Sequence, residues 1–383
     1  MNAAVPMVEN LIIGGGLAGA MAAIRLAAAG REVTLVERER KAHHKVCGEF
    51  LSPEAIDYLR QVDVDPLRLG AVQIEHLRLA AKDKLVETAL PFRALSLSRC
   101  ALDEALLSRA EGDGCAIRRG VSVESLTQNK GFWTAHLSDK SAQRTGSVFL
   151  ATGKYDLRGW HRPPGRQSDL LGFKLHWQLT ASETEALRGY MDLFLFAGGY
   201  GGLSLVEGDT GNLCLVVRRS RLRQLGGWTE LLKALLDENR HIRQRLADGR
   251  PMWERPLAVS SIPYGYLSEQ TSGLWSLGDQ AAVIPSFTGD GMAIALHSGV
   301  LAAGMYVCGK SPDQYHQVLS EQLKRGMSLA VMLSQLMVSS VGRGLAPFAL
   351  TGLPQAMGWI ARSTRIPALA VLQTQEWTTA ARA

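Results

Sequence analysis

The sequence predicts an α/β fold: a parallel-sheet nucleotide-binding domain, interrupted by an antiparallel β-rich lobe and followed by C-terminal helices. Three observations predict it. An apolar strand, a glycine cluster, a helix-like run and a second strand fill the first forty or so residues. From about Leu170 to Pro263 the pattern changes to alternation of apolar and polar residues, the period of a half-buried strand. The first pattern then returns at "GLWSLGDQAAVIP", from Gly273 to Pro285.

The elements come in order along the chain. Residues 8–13, "VENLII", end in an apolar strand, "GGGLAG" turns, and a helix-like run extends from Ala20 to Ala29, stopped by Gly30. "EVTLVERE", from Glu32 to about Arg38, is the second strand. In "CALDEALLSRAE" (100–111), Leu102, Ala105, Leu106 and Ala110 have helical spacing. "AIRRGVSVESL" and "FWTAHL" read as strands, and "SVFLAT", Ser147–Thr152, as a buried strand ending at Gly153. In the lobe, "GFKLHWQLT", "GYMDLFLFAGG", "GGLSLVEG" and "NLCLVVRR" alternate, with "EGDTGN" as a hairpin turn. Residues 72–98 are expected to add strands to it, and an amphipathic helix is expected from about Trp228 to Leu246. The apolar run Gly326–Gly342 is shorter than the roughly 20 residues a membrane span needs, so a buried or surface-lying helix is expected. Pro347, Pro354 and Pro367 divide the C-terminal end of the chain into short helices. The resulting division is 1–70, 95–165 and 265–325 for the nucleotide domain, 71–94 and 166–264 for the lobe, and 326–383 for the helical end.

Composition sets outer bounds. The 383 residues are 46% hydrophobic and 20% charged, ordinary for a globular protein. The net charge of +6 is scattered, with short clusters such as Arg218-Arg219-Ser220-Arg221, and no nucleic-acid motif accompanies it. Five cysteines without a CxxC pair argue against a disulfide framework and fit a reducing cytoplasm. The apolar N-terminal run lacks the basic start of a signal peptide.

Gly14, Gly16 and Gly19 form GxGxxG between strand and helix, with Leu17 and Ala18 inside it. The first glycine permits the tight turn, the second lets the main chain approach a pyrophosphate, and the third lets the helix pack on the strand. The helix N-terminus then faces phosphate charge. Glu37, followed by Arg38, ends the next strand, where its carboxylate can accept from a ribose diol.

NAD and FAD both use this fingerprint, and the distal motifs discriminate. "SRCALDEAL" holds Arg99, Leu102 and Asp103, and "LWSLGDQAAVIPSFTGDGMAIALHSG" holds Gly278-Asp279, Pro285, Gly289 and Gly291. With these motifs the chain resembles the FAD-dependent oxidoreductase superfamily. That superfamily includes p-hydroxybenzoate hydroxylase-type monooxygenases, geranylgeranyl reductases and flavin-dependent halogenases. The resemblance implies a Rossmann-type FAD-binding domain with an inserted substrate lobe. It implies Asp279 on the ribityl and pyrophosphate side, backbone amides at Gly289, Gly291 and Met292 against the flavin ring, and Arg99 along the adenine nucleotide. "KVCGEFLSPEA" resembles the KxCGG segment of geranylgeranyl reductase-like proteins, which implies Cys47 near the flavin ring and Gly48 permitting close approach. The Cys47 thiol reads equally as a catalytic group or as a small packed hydrophobe. His43, His44 and Cys47 give three crowded donors, short of a closed metal set, so no metal is expected.

Three departures qualify the resemblance. Many such monooxygenases carry Asp-Gly after the central strand, where this chain has Thr152-Gly153-Lys154. The halogenase motif WxWxIP is absent. The reductase motif YxWxFP is not intact, Tyr200 lying in a similar place. Candidate acid–base groups are Glu49, His176, Tyr200 and His297, with His176 expected half-buried and His297 facing solvent. The expected function is FAD-dependent reduction or dehydrogenation of a hydrophobic polyketide, aromatic or isoprenoid molecule, with NAD(P)H as electron donor. An O2-dependent aromatic hydroxylase is the rival, and a flavoprotein subunit without its own turnover a third reading. The apolar C-terminal region suggests peripheral membrane contact.

Overall fold

The computed structural model describes residues 7–269, 272–342, 344 and 355–380. Two large sheets organise it. In the first, strands run in the order Ala116–Arg119, Val33–Glu37, Met7–Ile13, Ala142–Leu150, Phe132–Leu137 and Val123–Asn129, and Trp275–Ser276 pairs beside Ala142–Leu150. The pairings among the first four strands and at Trp275–Ser276 are parallel, and the last two strands add an antiparallel edge. Strands in a parallel sheet are covered on both faces, which is why Leu11, Ile12 and Ile13 form an unbroken apolar run. One face carries the helices Leu17–Ala28, Arg99–Gly112 and Gly291–Val307, packed through Ile12, Met21, Leu102, Phe149 and Leu296.

The second sheet has nine strands, and its spine is Leu170–Gln178, Thr210–Arg218, Gly199–Val206, Gly189–Phe196, Val72–Ala81 and Lys84–Ser96. Residues 72–98 do contribute strands, and Glu207–Asp209 makes the expected tight turn. The sheet is not wholly antiparallel: Gly189–Phe196 pairs with Val72–Ala81 in parallel. These two strands are separated by a long excursion through the first sheet, which supplies the crossover that parallel pairing requires. The short strand Phe50–Leu51 joins the outer edge, pairing Phe50 with Ser96 and Leu51 with Leu95.

Several expectations are corrected. The first helix begins at Leu17, since the turn itself supplies its first residues. The strand expected at Ser147 begins at Ala142. "AIRRGVSVESL" is two strands, broken near Gly120 at φ +75. The helix expected over Trp228–Leu246 is two, Trp228–Glu238 and Arg240–Leu246, because Asn239 leaves the helical region (φ −125) and caps the second by accepting from the Ile242 N–H at 3.1 Å. The run at Gly326–Gly342 begins within a helix spanning Pro312–Met337. Pro347 and Pro354 lie outside the described residues. His297 does not face solvent. The helix that carries it is covered on every side, and the ring lies between the Tyr58 hydroxyl (Nδ1, 2.6 Å) and Gln322 Oε1 (Nε2, 2.8 Å).

Burial pushes the His297 imidazole down to about 4 from 6.5, with the Gln322 contact opposing. As pH falls below about 6.5 the unfolded chain takes up this proton and the folded chain does not until about 4, so stability drops across that window, by at most roughly 3 kcal/mol from this group. His297→Gln should flatten that part of the stability–pH curve, read by urea unfolding at several pH values between 7 and 4.

Candidate functional site

The site lies where the two sheets meet. At one end, Gly14 (φ +108) turns against Ala151, whose carbonyl oxygen would sit 2.4 Å from any Cβ there. Gly19 packs so closely that a Cβ would lie 2.0 Å from the Gly14 oxygen. Gly16 differs: a Cβ there would meet only Arg99 Nη2 at 3.3 Å and Lys45 Nζ at 3.7 Å. Gly16 caps the helix without a side-chain hydrogen bond, and the first turn has no acid. Free N–H groups, a helix dipole and two cations therefore converge on one slot, an environment for an anion. Leu17 and Ala18 point into the core, so they can offer only main-chain groups.

Glu37 is buried. One of its oxygens accepts the Gly15 N–H at 2.7 Å and the other the Glu39 N–H at 3.0 Å. Each carboxylate oxygen keeps a lone pair for a further donor such as a sugar hydroxyl. Arg38 lies over the Tyr155 ring, 4.5 Å from its centroid. Asp103 ties Arg99 (Nε 2.8 Å, Nη2 3.0 Å) and Lys45 (Nζ 2.7 Å) together. Burial pushes the Asp103 carboxyl up, but the two cations outweigh it and hold it below its usual value.

The middle of the site is the Gly278-Asp279 turn. Gly278 (φ +56) sits over Ala18 and donates to Ser298 Oγ at 2.8 Å. Asp279 pairs with Lys154 at 3.0 Å, and its carbonyl accepts from Arg162 at 2.7 Å. Burial opposes the charge of Asp279, but Lys154, Arg162 and Arg99 leave its pKa lowered. The Thr152-Gly153-Lys154 segment, which departs from the monooxygenase pattern, is laced to this turn, with Gln280 donating to the Gly153 carbonyl at 2.7 Å.

At the far end are Cys47, Gly48 and the loop before the helix Gly291–Val307. Gly289 (φ +74) lies against Phe50, while space is open around Gly48 and Gly291. The Met292 side chain is core, so only its backbone N–H faces the loop. Asp290, next to these glycines, is buried with both oxygens lacking hydrogen bonds, and Arg365 stands 3.4 Å away while also holding Glu54. Burial pushes the Asp290 carboxyl up to about 7, the Arg365 charge opposing and Glu54 adding.

The Cys-Gly-Glu segment is riveted to the lobe. Glu49 has φ +59, unusual for a residue with a side chain, and is fully buried. Its carboxylate receives the Lys174 ammonium, the Arg99 N–H at 2.7 Å and His176 Nε2 at 3.4 Å. Burial alone would raise its pKa, yet His176 and Lys174 hold it below the usual carboxylate value. Asn212 donates to the Cys47 and Gly48 carbonyls at 3.3 and 3.0 Å. The Cys47 sulfur accepts the Glu49 N–H at 3.4 Å.

His176 is buried, not half-buried, and stacks on Trp253 with His44 at its edge. His44, Glu49 and His176 bring donor atoms within 4.8 Å of one another, a different set from His43, His44 and Cys47. The Lys174 ammonium already neutralises that carboxylate and would repel a divalent cation. Tyr200 is also buried, its hydroxyl 3.3 Å from Ser334 Oγ.

Sequence reasoning missed Lys45, Lys154, Arg162, Lys174, Asn212 and Arg365. A lysine and a histidine inside the apolar strand "GFKLHWQ" were the available signal for Lys174, and the lysine ahead of "VCGE" for Lys45.

Residues 7–149 match the family model of an FAD binding domain. The chain is 24% identical over 359 residues to the menaquinone reductase of Mycolicibacterium smegmatis, a match covering 86% of this chain and 84% of that protein. Among solved structures, a geranylgeranyl bacteriochlorophyll reductase-like protein from Thermoplasma acidophilum superposes with a TM-score of 0.75 at 17% identity, over 97% of this chain and 96% of that one. The halogenase PltM also superposes at 0.75, with 16% identity, over 97% and 85%. These structural likenesses show the fold alone. The fold, the glycine turn and the matched domain define a flavoprotein enzyme. The match gives residues 7–149 the character of an FAD-binding domain, and the anion slot beside Gly16 fits the pyrophosphate of an FAD.

Lys174→Met should cost roughly 3–5 kcal/mol, because it strands a buried carboxylate. Adding Glu49→Gln should recover much of that loss. Chemical denaturation of the single and double variants measures both, and additive losses would show that the two side chains act separately.

Proposed function

We propose that the chain is an FAD-dependent reductase of a lipophilic prenylated molecule of the menaquinone or isoprenoid type. The observation that carries this reading is the match to the menaquinone reductase across most of both chains.

In this reading, Gly14, Gly16 and Gly19 with Arg99 and Lys45 hold the pyrophosphate, Glu37 takes the adenosine ribose, and Asp279 takes the ribityl chain. Bound FAD supplies two-electron hydride chemistry. Gly289, Gly291 and Met292 present main-chain N–H groups at a helix N-terminus, which would favour negative charge on a flavin bound there. Cys47 and Gly48 form the wall that lets the cofactor lie close, held there by Asn212 and Glu49. Lys154 keeps Asp279 ionised and ordered. Reduction of a carbon–carbon or quinone bond also consumes a proton, which the site must supply from outside the hydride donor. NAD(P)H is the proposed electron source.

Anaerobic incubation of the holoenzyme with NADPH, or with dithionite as control, and a menaquinone or geranylgeranyl lipid should give a two-electron-reduced product by mass spectrometry. A strict requirement for O2 with an oxygen-inserted product would instead establish the hydroxylase. Product formed only with dithionite, and absent from a protein-free dithionite control, would remove NAD(P)H from the scheme and keep the rest.

Two substitutions test the cofactor shell. Gly16→Val should abolish FAD retention, because its side chain fills the slot between Arg99 and Lys45. Asp279→Ala should weaken FAD binding by one to two decades, as expected for a lost hydrogen bond to a charged acceptor of roughly 1.5–3 kcal/mol. Flavin content after dialysis reads both.

A further inference from the structure

The C-terminal helices carry an exposed surface that the cofactor site does not use. No Asp or Glu occurs between Glu321 and Glu376, whereas Lys324, Arg325, Arg343, Arg362 and Arg365 fall in that stretch. Within it, Met332, Leu336, Val341, Trp359, Leu369 and Leu372 expose between 48% and 67% of their surface. They make up most of the large apolar side chains that the described residues leave in water.

These residues lie on one connected set of helices. The long helix Pro312–Met337 is the spine. Its exposed Arg325, Ser328, Met332 and Leu336 recur at the spacing of one helical face. Arg166 flanks that face, donating to Ser328 Oγ at 3.0 Å. Gly326 packs against the Thr364 carbonyl, and Gln322 reaches Gln373 at 3.5 Å, which sets the last helix, Ala368–Ala380, alongside the spine. Met357, on the helix Gln355–Ser363, shares a buried apolar cluster with Val338 just beyond the spine, and Trp359 on the same helix is exposed. Exposed Lys324, Arg325 and Arg362 therefore share one region with the exposed apolar side chains, a tryptophan among them, whereas the Arg365 side chain is buried against Glu54. That combination suits the boundary of an anionic bilayer, where tryptophan sits at headgroup depth and lysine and arginine meet lipid phosphates. No described helix is long and apolar enough to cross a membrane.

We propose that this surface docks the protein on the anionic face of a lipid bilayer. The proposal rests on the lipid-reductase reading and deepens it. Charge complementarity selects a membrane over a second copy of the chain, since two such basic faces repel each other.

The test is co-sedimentation of the holoenzyme with vesicles of phosphatidylethanolamine and phosphatidylglycerol, with pure phosphatidylcholine vesicles as control. The wild type should pellet with the anionic vesicles at least tenfold more than with the neutral ones, and 0.5 M NaCl should release most of it. Leu336→Glu/Trp359→Glu and, separately, Lys324→Glu/Arg325→Glu should each lower binding at least tenfold with FAD content unchanged. The second pair replaces exposed side chains only, so it keeps the test valid if the first pair folds poorly. Wild-type protein that stays in the supernatant, or variants that pellet like wild type, would overturn the proposal. So would a wild-type dimer that these substitutions convert to monomer while vesicle binding is unchanged, since a second copy would then cover the face. Turnover of detergent-dispersed lipid without vesicle binding would remove the docking surface alone, whereas vesicle binding without turnover of any prenylated lipid would remove the reductase reading alone.

Discussion

The buried ion pair between Glu49 and Lys174 is the contact on which the rest of the site depends. Neither side chain has any exposed surface, and they come from different parts of the chain's architecture. Glu49 belongs to the loop that carries Cys47 and Gly48, and Lys174 to the lobe strand Leu170–Gln178. Two opposite charges taken out of water attract strongly only while both remain in place. The pair therefore fixes where the lobe stands relative to the nucleotide domain. It also holds Glu49 at a positive φ, a conformation that ordinarily costs a non-glycine residue on the order of 1 kcal/mol or more. The carboxylate's anchors offset that cost, and Asn212 extends the same grip to Cys47 and Gly48.

The nucleotide half obeys a complementary rule. Its cations do not wait in isolation for an anion. Arg99 and Lys45 share Asp103, and Lys154 has Asp279. Arg99 and Lys45 are thus held in position by an acid while they border the slot at Gly16. Arg99 also lends its main-chain N–H to Glu49, so one residue links the phosphate end to the rivet. This preorganisation reduces the side-chain entropy that ligand binding would otherwise have to remove.

Local backbone geometry is the part of the fold and site that is legible in the sequence. Gly14, Gly19 and Gly278 are glycine because a Cβ would collide or a positive φ is required, and such constraints leave a fixed residue at a fixed spacing. Long-range charge pairing leaves no such trace. Lys174 in an alternating strand reads as a solvent-facing residue until its partner 125 positions away is seen. His297 departs from its expected place for a related reason: a helix buried on all sides has no polar face, so a lone histidine on it gives no clue to its direction. The parallel pairing of Val72–Ala81 with Gly189–Phe196 is also invisible in the sequence, since neither strand differs locally from its antiparallel neighbours.

That parallel pairing bears on how the chain reaches this structure. The lobe's sheet joins strands from residues 72–96 to strands from 170 onward, and the segment between them folds into the other sheet. Closing so long a loop is entropically costly until the intervening part has become compact, and folds rich in such distant contacts form slowly. On a ribosome, the hairpin at 72–96 would emerge early and stay unpaired along one edge until the strand at 189–196 arrives. Its apolar residues would be exposed to other chains in that interval, which makes this hairpin the segment where a chaperone, or an aggregate, would first engage the nascent protein.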